Sequence, residues 1–161
     1  MSTPKVSDAF AQAEKVGLFT DLLHRMGEAR IRVTGSSMLP AIWPGDILTI
    51  RRCRMADACA GDIALFTRDG RLFAHRVVGR GNERLVTRGD TVPTADGPVS
   101  DAEFLGIVVS VVRDGNRVGS VDSLARRSVT GRLVAAAVRR SSTASRMLQR
   151  GRALRARLGV S

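Results

Sequence analysis

The chain has 161 residues, enough for one domain to bury a core without help from disulfides or a structural metal. With 43% hydrophobic and 25% charged residues it is no disordered polymer, and 4% aromatics without a single Tyr leave little for base-stacking platforms. Two cysteines, Cys53 and Cys59, exclude a disulfide scaffold and a four-cysteine zinc module, and the net charge of +11 sits at one end: residues 1–122 hold 16 Lys or Arg against 15 acids, residues 123–161 ten Arg and no acid.

In chain order, residues 7–27 read as an amphipathic helix. Phe10, Leu18, Leu22 and Met26 fall at helical spacing, with Phe19 and Leu23 widening the stripe, Ser7 or Asp8 as caps and Gly27 as the stop. The period then changes to two, Ile31 and Val33 alternating with Arg30 and Arg32 on a strand that runs into Thr34-Gly35-Ser36-Ser37. Strands are predicted over 46–51, 62–67, 71–78, 84–87 and 104–113, rich in Val, Ile, Leu and Phe. Asp69-Gly70 and Asp114-Gly115-Asn116 separate apolar runs as hairpin turns do. No helix-length pattern interrupts these strands, so the expected class is mainly β rather than doubly wound α/β.

The last forty residues return to helical composition, with Leu124, Leu133, Val134, Ala137 and Val138 followed by Met147, Leu148, Leu154 and Leu158. The expected organisation is an amphipathic helix over 1–29, a β domain over 30–122, and an Arg-rich tail over 123–161, helical or partly disordered. The longest stretch without charge, residues 33–45, has thirteen residues, and a spanning helix needs roughly 18. No basic-then-apolar leader is visible at the start. The expectation is a cytoplasmic protein, with peripheral membrane attachment as the open alternative.

Three segments carry candidate chemistry. Gly35-Ser36-Ser37-Met38-Leu39-Pro40 places a serine on a bend after a strand, where hydroxyl and backbone N–H are presented together, as a nucleophile with its own oxyanion donor requires. In Phe73-Ala74-His75-Arg76-Val77, alternation sets His75 on the face of Phe73 and Val77, a partly desolvated wall suited to a general base. Downstream, Asp90 and Asp96 are two acids, either of which is able to orient the imidazole. His24 lies in the N-terminal helix and reads as surface or packing. Taken singly, each segment fits an ordinary loop or core position.

Together, Gly35-Ser36-Ser37-Met38-Leu39-Pro40, Pro44-Gly45-Asp46-Ile47, Gly61-Asp62-Ile63, His75-Arg76-Val77-Val78-Gly79 and Arg88-Gly89-Asp90 followed by Asp96 resemble the signal peptidase I family. That family belongs to the larger group holding the LexA-type self-cleaving repressors, and the resemblance covers about residues 30–112. It implies a signal peptidase/LexA-like β-fold and peptide-bond hydrolysis after small residues. Ser37 would be the nucleophile and its N–H the oxyanion donor, with His75 as general base and Asp90 or Asp96 behind the ring. Met38 and Pro40 would contact substrate, and no metal or cofactor is implied. Most bacterial members carry Lys at the base position; the His-Arg-Val-Val-Gly box here follows the Ser–His subfamily. The lysines, Lys5 and Lys15, both precede Ser37, so a Ser–Lys pair with the family's topology is excluded.

Three departures are plain. The family's transmembrane anchor is replaced by the amphipathic helix, Thr91-Val92 stands where Asn is expected, and Gly35 lacks the hydroxyl that assists the oxyanion in some members. The implied partner is a peptide or protein with a leader segment, and residues 123–161 suit an anionic membrane surface or nucleic acid. Two rival readings stand: a self-cleaving LexA-like regulator, and a non-catalytic relative acting as a binding protein. Self-cleaving relatives cut an Ala-Gly or Cys-Gly bond upstream of the nucleophile, whereas the single Ala-Gly here, Ala60-Gly61, lies downstream. Oligomeric state is not legible.

Overall fold

A computed structural model describes residues 6–118 except Asn82, with side chains from Gln12 onward. Helix α1 (Val6–Met26) is followed by seven strands: β1 (Glu28–Arg32), β2 (Ile47–Arg51), β3 (Ile63–Arg68), β4 (Arg71–Gly81), β5 (Arg84–Arg88), β6 (Phe104–Arg113) and β7 (Asn116–Arg117). They form one antiparallel sheet in the order β1-β2-β6-β3-β4-β5, with β7 on β6, so the class is mainly β as expected. The tail over 123–161 lies outside the described residues.

The two Asp-Gly turns close the predicted hairpins. Asp69 and Gly70 have φ 51° and 68°, and Asp114 and Gly115 have φ 48° and 81°, two consecutive left-handed residues as a tight hairpin with right-handed twist demands. Alternation along β3 builds two cores. Ile63 and Leu65 point into a cluster with Leu23, Met38, Ile42, Leu48, Ile50, Leu105, Val108 and Val111. Ala64 and Phe66 point the other way, to Met55, Val77, Leu85, Val99 and Phe104.

The helix is where the sequence reading needs correction. Leu18, Leu22 and Met26, expected on the buried stripe, are 72%, 47% and 69% exposed, while Val16 and Leu23 are buried and Phe19 packs beside them. Two apolar rows share helical spacing, and the sheet takes the row that includes Leu23. Gly27, at φ 71°, ends the helix by donating its N–H to the Leu23 carbonyl at 2.9 Å. Among the described residues no helix is long and apolar enough to cross a membrane.

Candidate active site

Residues 33–46 leave the sheet and rejoin it. Val33 N–H donates to the Asp46 carbonyl and Gly45 N–H to the Val33 carbonyl, each at 2.8 Å, closing the loop at its neck. Inside it, Leu39 N–H reaches the Ser36 carbonyl at 3.3 Å and Ile42 N–H the Met38 carbonyl at 2.9 Å. Met38, Leu39 and Ile42 drop into the core and leave Ser37 half-buried at the rim. The loop is pinned from within by Asp46, wholly buried, which accepts Arg113 Nε at 3.0 Å, Arg113 Nη2 at 2.7 Å and the Trp43 N–H at 2.8 Å. Arg113 Nη2 also donates to the Ala41 carbonyl at 3.3 Å. A bidentate guanidinium–carboxylate contact of this kind is both strong and directional.

His75 stands on β4 directly opposite Ala64 of β3, whose small side chain leaves the ring room. Phe66 and Phe73 meet the imidazole edge-on, at centroid distances of 6.0 and 5.9 Å, and His75 is buried. Ser37 Oγ lies 2.9 Å from His75 Nε2, and His75 Nδ1 lies 2.7 Å from Asp96 Oδ2. An ionised carboxylate only accepts, so Nδ1 carries the proton and Nε2 presents its lone pair to the serine hydroxyl. The same Asp96 oxygen accepts the hydroxyl of buried Thr87 at 2.7 Å, and Asp96 N–H donates to the Thr87 carbonyl at 2.8 Å.

Of the two acids open at the sequence level, Asp96 meets the imidazole. Asp90 does not: it takes Arg76 Nε at 2.9 Å and Nη2 at 2.8 Å, and Arg76 Nη1 continues to the Gly61 carbonyl at 2.9 Å. Alternation explains the division, since Arg76 faces away from His75 and draws Asp90 with it. Met38, expected to touch substrate, is 4% exposed and packs in the core, so it supports the loop from below. Pro40 is half-buried, its carbonyl accepting Trp43 Nε1–H at 2.9 Å. His24 is exposed on α1, as read from sequence.

Three contributors escaped the sequence reading. One is Thr87. The second is Thr91, whose N–H and Oγ1 donate to the Ser37 carbonyl at 2.9 and 3.0 Å and so fix the peptide plane after Ser37. The third is Gly89: a β-carbon there would stand 2.9 Å from the Ser37 carbonyl oxygen and 3.1 Å from Ser37 Cβ. Only glycine lets this backbone lie against the serine, and its place inside the Arg-Gly-Asp box was the available signal. The Ser37 N–H finds no acceptor among the described residues.

Cys53 is half-buried and Cys59 exposed, both reduced; burial pushes the Cys53 thiol up, making it a poor nucleophile. Among the described residues no group of three or more His, Cys, Asp or Glu is gathered to hold a metal ion.

No curated protein matches the chain. A family model described as Peptidase S24-like matches residues 12–109, a span that takes in α1 from Gln12 onward, the serine loop, His75, Asp96 and most of the sheet. Since that match extends over more than half of the sequence, the chain belongs to the Peptidase S24-like family.

Proposed function

We propose that this protein is a serine endopeptidase of the signal peptidase I type, cleaving a leader or signal-type peptide after small residues. The observation that carries the reading is the line Ser37 Oγ, His75, Asp96, with contacts of 2.9 and 2.7 Å. Serine is a weak nucleophile unless a base takes its proton, and an imidazole whose far nitrogen is held by a carboxylate is oriented for that transfer.

Ser37 Oγ attacks the scissile carbonyl carbon while its proton passes to His75 Nε2, and the carbonyl electron pair moves onto oxygen, facing the Ser37 N–H. Collapse re-forms the carbonyl and breaks the C–N bond, and the His75 proton leaves with the amine. Water then attacks the acyl-enzyme, gives its proton to His75, and Ser37 recovers it as the acid departs. The general base contributes typically about 10²–10⁴-fold, and a backbone oxyanion donor about 10²–10³-fold. The absence of a hydroxyl at Gly35 leaves that second contribution to the backbone.

The self-cleaving reading loses ground on the packing around Ala60-Gly61. Gly61 N–H donates to the Val77 carbonyl at 2.8 Å and its own carbonyl accepts Arg76, so this bond enters no active site without breaking both contacts. The test is mass spectrometry of leader peptides incubated with the full chain, Ser37→Ala and His75→Ala. Cleavage by the parent and a loss of at least about 10³-fold in each variant is expected. Cleavage retained by either variant overturns the assignment. A Ser37-dependent nick in the protein's own chain would instead select the regulator, and a Ser37 that resists acylation by a fluorophosphonate would select the binding protein.

A further inference from the structure

We infer that Arg68 is a positioning residue for the Asp96–His75 pair, held to that task by Glu103; the inference rests on the Ser–His reading above. Arg68 ends β3 on the face shared with Ala64 and Phe66, the face that meets His75. Its Nη1 donates to the Gly97 carbonyl at 3.2 Å and its Nη2 to the Pro98 carbonyl at 3.0 Å, the two residues directly after Asp96. Its Nε donates to Glu103 Oε1 at 2.8 Å, and Glu103 Oε2 accepts both the N–H and the hydroxyl of Ser100 at 2.8 Å. One guanidinium–carboxylate pair therefore ties down the loop at 97, 98, 100 and 103.

The same guanidinium lies over the Phe66 ring, 5.4 Å from its centroid, and Phe66 packs edge-on against the imidazole. Arg68 thus touches both a wall of the base and the loop of the acid. Nε, Nη1 and Nη2 each find an acceptor, a division of donors that suits a guanidinium fork and not an ammonium. Charge follows the same geometry: the Glu103 carboxyl is held at about 2, first by Arg68, and Arg68 is held above its ordinary range, first by Glu103, with Asp96 contributing.

On its other side the loop is fastened to β5. Asp96 N–H donates to the Thr87 carbonyl, and Leu85 and Val99 exchange backbone hydrogen bonds of 3.0 and 2.8 Å. Removing Arg68 leaves this attachment in place, so the fold persists while the acid gains freedom to shift.

The experiment measures acylation of Ser37 by a fluorophosphonate in the full-length protein, with thermal melts alongside. Arg68→Gln is expected to lower the limiting acylation rate by about 10- to 100-fold, as a displacement of about an ångström does. The reagent concentration for half-saturation should move by less than about twofold, because Arg68 does not face the reagent. Arg68→Lys should recover part of the rate, and Glu103→Gln should lose less than Arg68→Gln. In an Asp96→Asn background Arg68→Gln should change the rate by less than about twofold, since the two act through one contact. A parental rate in Arg68→Gln, or losses that multiply in the Asp96→Asn background, would overturn the inference. Should Arg68→Gln melt below the assay temperature, Glu103→Gln, which keeps every heavy-atom position, decides by the same cycle. A parent that never labels at Ser37 removes the Ser–His reading first, and this inference with it.

Discussion

Residues 33–46 carry Ser37 and residues 88–103 carry Asp96, and each loop is gripped by an arginine that ends a strand. Arg113 closes β6 and Arg68 closes β3, and each is followed by Asp-Gly in a tight hairpin turn. Each guanidinium takes a carboxylate, Asp46 or Glu103, donates to loop carbonyls, and lies over an aromatic ring, Trp43 at 5.7 Å or Phe66 at 5.4 Å. The difference is water. The two arginines are alike, 25% and 27% exposed, but Asp46 has no exposed side-chain surface whereas Glu103 keeps 28% of its own. A buried carboxylate stripped of its cation is an uncompensated charge, while a partly solvated one is rescued by solvent. The same device therefore closes a buried loop at Ser37 and a partly solvated one at Asp96.

The sharpest way to break that comparison is to delete the two carboxylates in parallel. Asp46→Ala should cost about 3–5 kcal/mol, because it removes the buried acceptor shared by Arg113 and the Trp43 N–H, and thermal unfolding reads it directly. Equal destabilisation by Glu103→Ala would erase the distinction between the two loops.

Gly89→Ala tests the surface where the loops meet. A methyl group 2.9 Å from the Ser37 carbonyl oxygen must push backbone aside. A loss of about 1–3 kcal/mol is expected, together with slower acylation of Ser37. A variant with parental stability and reactivity would show that the loops slide freely.

The smallest effect belongs to Glu103→Gln, and pH sharpens it. The folded carboxyl is held at about 2 against an ordinary 4.5, so the folded state binds this proton less readily than the unfolded chain. Its stabilisation is thus complete above pH 4.5 and disappears as pH falls toward 2. Melts of parent and variant should differ by no more than about 1 kcal/mol near neutrality and converge in acid. A difference that grows on acidification would contradict the sign.

Much of this arrangement was legible before any coordinates. The Asp-Gly dipeptides located both hairpins, since few other pairs accept two consecutive left-handed residues, and runs rich in Val, Ile, Leu and Phe placed β2 to β6 within three residues of their observed ends. Ser37 and His75, 2.9 Å apart in the structure, both stand in boxes visible in the sequence. The helix was harder: Leu18-Leu22-Met26 and Val16-Phe19-Leu23 are both apolar rows at helical spacing, and only the partner sheet decides which is buried. Asp90 and Asp96 were inseparable because both lie in the stretch after β5, and only the path of that loop brings one to the imidazole and the other to Arg76. Thr87, Thr91 and Arg68 carry no local signature. Their roles arise from strand pairing and loop return, which bring together residues far apart in the chain.

The contact between Gly89 and Ser37 bears on how a substrate is received. Thr91 holds the serine carbonyl by two donors and the glycine backbone abuts the serine itself, so the segments bearing nucleophile and acid form one mechanical unit. On the proposed peptidase reading, the ordering cost of aligning hydroxyl, ring and carboxylate is then met when the chain folds rather than when a peptide arrives, and a poorly fitting peptide gains nothing from closure of these loops.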